Sequence, residues 1–462
     1  MSLSLREVEK RIIGDIWSSP DSYENEVALC SFGSRFGGTI SERKARDYIL
    51  KKFKDYGLEA HSEAFEYMGW RRGTAKLETL EPVKTSLPVI SLVQSPSTPE
   101  GGLEGELIYI GDGIPPDFQA MGPQISGEIV MSTSKSPSSF PRYVHRREKY
   151  ARSILAGATG YVFMNSQPGN LQQTGSLVTN GIGQIPAVSV TYEDGYYLQQ
   201  LLKQGKVKTR MTLSNKSGTT TAWHVLGELI GERIPDHEVL VCGHYDGHDI
   251  SQGALDNATG VAVIMELARV FGRYRGSFRR TIKFVTFDLE EWATTGSTLY
   301  LKAHPDEAEN IDLVINLDSP AAPGRKGVCV EGYAEMAPYF KKIGEETGYS
   351  IEVSTRVGHA SDHFPFVTRG VPAITLTTPR SSAEDRGWGH TSADTLDKVE
   401  PFDIKEAAMV AAQILVRAAN DEQPVARHRT ETEVLELMKK DNLDEVLRLV
   451  GLWDHFFPWP KK

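Results

Sequence analysis

From residue 222 onward, short runs of apolar residues alternate with stretches whose apolar positions recur every three or four residues. The runs predict strands over 225–230, 238–242, 281–287, 313–317 and 372–376. Between them Ala258, Val261, Met265 and Ala268 form one helical stripe, and residues 407–418 form another. Continuous apolar strands alternating with helices imply an α/β fold: a mostly parallel mixed sheet with helices on both faces. Nearer the N-terminus, Ala45, Ile49, Phe53 and Tyr56 predict a helix over 41–56, stopped by Gly57. From 82 to 102 the chain is rich in Pro, Ser and Gly, which marks a boundary. Beyond it come short strands at 107–110 and 129–131, a helix over 146–156 and a strand at 160–164, fading into the polar run 213–221. This texture is that of a small β-rich module inserted into the α/β body. The expected division is 1–82 for the first part of the body, 83–220 for the insertion, 221–425 for the main body and 426–462 for a C-terminal helical segment. That last segment ends in Phe456, Phe457 and Trp459, which must be buried on the body or on another copy of the chain, so a homo-oligomer through it is one expectation.

At 462 residues the chain exceeds one core of usual size, in keeping with a body plus an insertion. A formal net charge of -10 argues against nucleic acid as a partner, since phosphate recognition draws on clustered Lys and Arg. An acidic surplus suits cations instead. Cys30, Cys242 and Cys329 are odd in number and widely spaced, which reads as free thiols in a reducing compartment. The N-terminal residues carry charges every few positions, with no apolar stretch for a signal peptide or a membrane span. The expectation is a cytoplasmic protein with no membrane partner.

In open α/β sheets the working residues follow the carboxyl ends of the strands. Here the first such end leads into Gly243-His244-Tyr245-Asp246, with Asp256-Asn257 opening the next helix. The next leads into Asp288-Leu289-Glu290-Glu291, the third into Asp318, and His390 follows in Gly389-His390-Thr391. Each has a bland reading: Asp256 as a helix cap, Glu290 and Glu291 as first-turn acids, His244 as a surface histidine paired with Asp246. Together they are hard to obtain by chance in a chain with 12 histidines. Two His, two Asp and a Glu can hold two zinc ions roughly 3.5–4 Å apart if one carboxylate bridges them. Of the pair Glu290-Glu291, one can bind metal while the other accepts a proton from water. Asp246, two residues past His244, is placed to orient the imidazole. His248, His359 and His363 are read as bystanders with at most a supporting role, and Asp362-His363 as the start of a helix.

These residues resemble a zinc aminopeptidase family that also contains glutamate carboxypeptidase II and the transferrin receptor ectodomain. The resemblance rests on Gly243 to Asp246, Gly253 to Gly260, Phe287 to Glu291 with Gly296-Ser297, Asn316 to Asp318, Ser361 to His363, Gly370 to Ala373 and His390-Thr391. Gly33-Ser34-Arg35 and Tyr56 to Glu59 look like the family's opening, and the insertion, clearest over 146–165, resembles a protease-associated (PA) domain. The resemblance implies a peptide substrate and two zinc ions. It implies that His244 and Asp318 hold one, that Glu291 and His390 hold the other, that Asp256 bridges and that Glu290 is the general base. It also implies a cis peptide bond after Asp256. One departure is Gly389, where several relatives have a tyrosine whose hydroxyl stabilises the oxyanion.

Aminopeptidase is the expected activity, removing N-terminal residues from short peptides beneath an overhanging insertion. The alternatives are a carboxypeptidase of the same family and a receptor-like scaffold without catalysis. Related deacylases carry their insertion after the metal-binding glutamate, whereas here only 27 residues lead from Glu291 to Asp318. A glutaminyl cyclase would not be expected to carry such an insertion.

Overall fold

The computed structural model describes residues 4–379, 387–440 and 442–459. In chain order its strands are β1 (Glu59–Glu81), β2 (Thr85–Leu87), β3 (Ile90–Ser91), β4 (Leu103–Tyr109), β5 (Ile129–Thr133), β6 (Gly160–Met164) and β7 (Ala187–Val190). They continue with β8 (Lys208–Leu229), β9 (Ile234–His244), β10 (Arg280–Phe287), β11 (Ile311–Asn316), β12 (Gly327–Cys329), β13 (Glu352–Ser354) and β14 (Ala373–Thr377). The α/β body is ordered β13-β12-β14-β11-β9-β10-β8, with β1 beyond. Its middle, β14-β11-β9-β10, is parallel, while β12 meets β14, and β8 meets β10, in antiparallel sense. The sheet is mixed and mostly parallel, with helices on both faces.

Alternation along the central strand divides the core. Val239 and Val241 of β9 face one way with Ile282, Phe284, Leu313 and Ile315, beneath helices Leu5–Ser18, Asp21–Ser31, Ile40–Asp55, Thr259–Arg273 and Pro401–Ala418. Leu240 and Cys242 face the other way with Val285, Phe287 and Val314, beneath helices Thr295–Ala303, Phe364–Val367, Glu431–Lys440 and Leu443–Leu449. A strand covered on both faces is apolar throughout, and that is why these strands stood out as unbroken runs. The C-terminal aromatics belong to this second core: Phe456 and Phe457 are buried in it, and Trp459 donates its indole N–H to Thr368 O at 2.8 Å. The body of the chain itself takes up their apolar surface.

The insertion is a second sheet, in which β4, β5, β6 and β7 run parallel and β3 is antiparallel at the β7 edge. β1 and β8 join it to the body as one long antiparallel ribbon, paired from Glu59 opposite Glu228 to Glu81 opposite Lys208 with register shifts between Arg71 and Thr74 and between Thr79 and Glu81. The division expected at 220/221 falls inside β8. The run 213–221, read from its polarity as a fading end of the module, lies within that strand. Lys216, Ser217, Gly218 and Thr219 are exposed, so the partner strand's hydrogen bonds hold them extended, with no buried face. Among the described residues no helix is long and apolar enough to cross a membrane.

Candidate active site and metal centre

The parallel strands β10 and β11 flank β9, so their carboxyl ends open on one edge. β9 ends on His244, β10 stops three residues before Glu290, and β11 stops two before Asp318. Asp256 lies on the loop from β9 to helix Thr259–Arg273, and His390 follows β14. Asn257 ties these pieces together. Its side-chain amide donates to Leu317 O (2.9 Å) and its Oδ1 accepts from Ser319 N (2.9 Å) and Gly260 N (3.0 Å). A Cβ on Gly260 would lie 2.1 Å from Leu317 O, so only glycine lets the helix close on the end of β11. The Asp256-Asn257 peptide bond is cis.

The ligand-type side chains gather in two groups. His244 Nε2 lies 3.3 Å from Asp256 Oδ1 and 3.7 Å from Asp318 Oδ1. His390 Nε2 lies 3.3 Å from Asp256 Oδ2 and 3.4 Å from Glu291 Oε2. Asp256 thus presents one oxygen to each group. Asp246 sits behind, its Oδ1 3.3 Å from His244 Nδ1, and its carboxylate accepts the backbone N–H of Glu290 (3.1 Å) and Glu291 (3.3 Å). Glu290 Oε2 is 4.0 Å from His244 Nε2. Asp256, Glu290, Glu291, Asp318 and His390 line a cavity of about 570 Å³.

His248, read as a bystander with at most a supporting role, lies 2.8 Å through Nε2 from Glu291 Oε2 and 3.1 Å from His390 Nδ1, within reach of both. Asp362 was likewise read only as a helix start, and the helix Phe364–Val367 does follow. Its carboxylate is nonetheless buried near Asp246 and Asp318. His363 serves structure, bonded to Glu331 Oε2 (3.1 Å) and Gly358 O (3.0 Å), and His359 packs its ring against His145 and Phe364.

Three further residues hold the centre from outside. Asp394 accepts the backbone N–H of Leu255 (2.8 Å) and Asp256 (3.1 Å). Ser361 Oγ donates to Asp318 Oδ2 at 2.7 Å. The buried Arg35 guanidinium donates to Tyr245 O, Gln252 O and Gly253 O at 2.6–2.8 Å, clamping the loops that bear His244 and Asp256. The backbone is strained here, with Leu289, Ser319 and His390 all at φ between 52° and 64°.

Burial and like charge dominate the electrostatics. Burial raises Glu290 well above the ordinary carboxylate range, and Glu291, Asp318 and Asp362 raise it further against the pull of His244. Burial also pushes Glu291 up to about 8, with His390 opposing and Asp256 reinforcing. Burial alone would lower His244, but its contacts with Asp246, Asp256 and Asp318 outweigh it and hold the ring well above its usual value. Desolvation would raise half-buried Asp256, yet His244 and His390 hold it well below its ordinary value. A buried excess of carboxylates over imidazoles calls for cations. Among the described residues His244 Nε2 and Glu291 Oε1 are buried without a hydrogen-bond partner, and imidazole with carboxylate is a donor set that suits zinc. The residues fit the metal.

Residues 224–415 match the model of peptidase family M28, and residues 90–198 that of the PA domain. Residues 224–415 are thus a peptidase family M28 domain, with a PA domain ahead of it. Among proteins of known description, the chain is 23% identical to carboxypeptidase Q of Bos taurus over 415 residues, covering 88% of this chain and 87% of that protein. It is 25% identical to aminopeptidase YwaD of Bacillus subtilis (strain 168) over 406 residues, 85% of this chain and 83% of that one. Of solved M28-like structures, a peptidase M28 precursor from Shewanella amazonensis SB2B superposes with a TM-score of 0.78 at 24% identity, over 92% of this chain and 99% of its own. BSAP, a zinc aminopeptidase from Bacillus subtilis, superposes with a TM-score of 0.68 at 22% identity, over 89% and 98%. At these identities the structures establish a shared fold. The M28 relatives include enzymes named for either end of a peptide.

Proposed function

We propose that this chain is a dinuclear zinc exopeptidase and, of the two directions, an aminopeptidase acting on short peptides. The carrying observation is the Asp256 carboxylate, which turns one oxygen to the His244–Asp318 group and the other to the His390–Glu291 group. In this reading His244 and Asp318 would hold one zinc ion, His390 and Glu291 the other, and Asp256 would serve both, with His248 supporting Glu291. Bound there, zinc would supply Lewis-acid chemistry for the scissile carbonyl and the attacking water. Glu290, placed on the cavity wall beside the His244 group, would accept the attacking water's proton at its carboxylate and return it to the leaving nitrogen. Asp246 fixes the His244 ring and, through two backbone N–H groups, the turn that carries Glu290 and Glu291. The insertion, residues 83–220 in this reading, walls the cavity with His145, Arg146, Arg147 and Ser176, which supports a preference for short substrates. Three buried, unpaired cysteines support a reducing, cytoplasmic compartment.

The test is a panel of peptides with free or blocked amino termini, assayed with and without chelator. Hydrolysis should need the free amine and be lost on chelation, then return with zinc. Glu290→Gln should keep both metals and lose about 10²–10⁴-fold in kcat, whereas Asp256→Ala should lose metal itself. Chelator-resistant cleavage, or full activity in either variant, would defeat the proposal, and cleavage of blocked-amine peptides from the other end would establish a carboxypeptidase.

A further inference from the structure

The two proposed metal groups are braced from different parts of the molecule. His244 Nδ1 faces Asp246, whose backbone oxygen is 3.2 Å and whose Oδ1 is 3.3 Å away, so the body braces its own histidine. His390 is braced by the insertion. Its Nδ1 lies 3.1 Å from the backbone oxygen of Thr174, on the segment between β6 and β7, and Thr174 N donates to His390 O at 2.8 Å. A carbonyl oxygen can only accept, so this contact places the ring's proton on Nδ1. Nε2 is left as a lone pair facing Asp256 Oδ2 and Glu291 Oε2. His248 Nε2 is also 3.1 Å from His390 Nδ1, but it lies closer, at 2.8 Å, to Glu291 Oε2, which receives its proton. His390 sits at φ 64°, a left-handed conformation that its surroundings must enforce.

The insertion holds that oxygen still. Thr174 is fully buried, and its carbonyl has two lone pairs, room for a second donor beside His390. Arg146, 3% exposed at the start of helix Arg146–Leu155, provides it, donating from Nη1 to Thr174 O and from Nε to Ser176 O, both at 3.1 Å. A Cβ on Gly175, whose φ is 142°, would lie 1.9 Å from Arg146 Nη2, so only glycine leaves room for the guanidinium. From the ribbon, Arg72 Nη2 donates to Thr174 Oγ1 at 3.1 Å while its fork holds Asp249, next to His248, at 2.6 and 2.8 Å. Walling the cleft would require none of these contacts, whereas a metal-binding histidine depends on such a partner for its tautomer and orientation. We propose that the insertion is an integral part of the second metal site: the Thr174 carbonyl, positioned by Arg146, sets the His390 ring, so that docking of the insertion and occupancy of the His390–Glu291 group are coupled. The coupling is reciprocal, so metal there would tighten the insertion onto the body by the same factor. The inference rests on the dinuclear reading above and adds that one group depends on the insertion while the other does not.

Metal-free full-length enzyme, as wild type, Arg146→Met, Arg146→Lys and Gly175→Ala, is to be titrated with cobalt(II) and followed by visible absorption. His390→Ala and His244→Ala assign the two binding steps. Arg146→Met and Gly175→Ala should weaken the His390 step about 10–100-fold without weakening the His244 step, and Arg146→Lys should recover part of the loss. The sign is decisive, because removing a cation would by electrostatics alone tighten both steps. Tighter or unchanged binding at the His390 step, or equal weakening of both, overturns the proposal. A second measurement needs no variant of the insertion: zinc loading of wild type should slow amide hydrogen exchange over residues 172–176, and loading of His390→Ala should not. Exchange there that ignores metal in wild type overturns the coupling. Should wild type take up no metal, the dinuclear reading fails separately, and NMR of isotope-labelled histidine in the metal-free chain still decides. A proton on His390 Nδ1 that is lost in Gly175→Ala supports the positioning role, and a proton on Nε2 in wild type overturns it.

Discussion

At the level of single residues, the centre is built from side chains whose burial makes sense only in company. Asp256, Glu291 and Asp318 could be picked from the sequence because each follows a strand end, and His244 because it precedes Asp246 by two. His248 was passed over because a histidine on a loop has no periodic signature, and Asp394 because its part is played through two backbone N–H groups. The part of Arg146 was invisible for a third reason: an arginine in a charged helix reads as solvated until its surroundings are known. A buried acid away from the centre allows a test of the same electrostatics. Glu26 is fully buried, with Cys30 Sγ 3.3 Å from its Oε1 and no partner for Oε2 among the described residues, and burial raises it from 4.5 to about 8. The folded chain therefore keeps this proton up to about pH 8, while the unfolded chain releases it near pH 4.5. Glu26's contribution is fully present below the lower value and is lost as pH rises through the window, at about 1.4 kcal/mol per pH unit. Glu26→Gln should match wild type in melting temperature near pH 5 and exceed it at pH 8; a gap that does not change with pH would refute this account.

Among the elements, the strands of the body and the helices flanking them were legible because each is either apolar throughout or striped. The ribbon of β1 and β8 was not, since Lys216 to Thr219 of β8 are exposed throughout and are kept extended by the partner strand. Helix Leu5–Ser18 shows why a narrow stripe is missed: Val8, Ile12 and Ile16 carry its contact with the core, amid charged neighbours. The turn after β10 depends on packing as much as on hydrogen bonds. Trp292, next to Glu291, is fully buried with its ring 5.1 Å from Phe36 and 5.3 Å from Tyr67, so the N-terminal segment and the ribbon together seat the turn that carries the proposed base. Trp292→Ala should cost about 3–5 kcal/mol in urea unfolding and lower kcat beyond what partial unfolding explains. Wild-type kcat in the folded fraction would show that the turn holds its place without this contact.

Considered as a whole, the molecule makes its cleft from two bodies, with the proposed ligands on the sheet edge and the opposite wall on an insertion that enters and leaves through the ribbon. Arg72 of β1 pairs with Asp249, next to His248, at 2.6 Å, so the ribbon also touches the centre. A walled cavity of about 570 Å³ accommodates a small ligand better than a long chain. Di- and tripeptides should therefore be consumed far faster than an unfolded protein of many residues with the same N-terminus; equal rates, followed by release of free amino acids, would show that the insertion does not limit access. The sequence by itself determined the α/β class, the presence of an insertion and the residue types at successive strand ends, because burial period and strand-end chemistry are local patterns. Only the tertiary structure decided that His248 stands beside Glu291, that Asp256 faces two ways and that a carbonyl of the insertion meets His390. Those facts depend on which surfaces of distant segments meet, and no spacing along the chain encodes that.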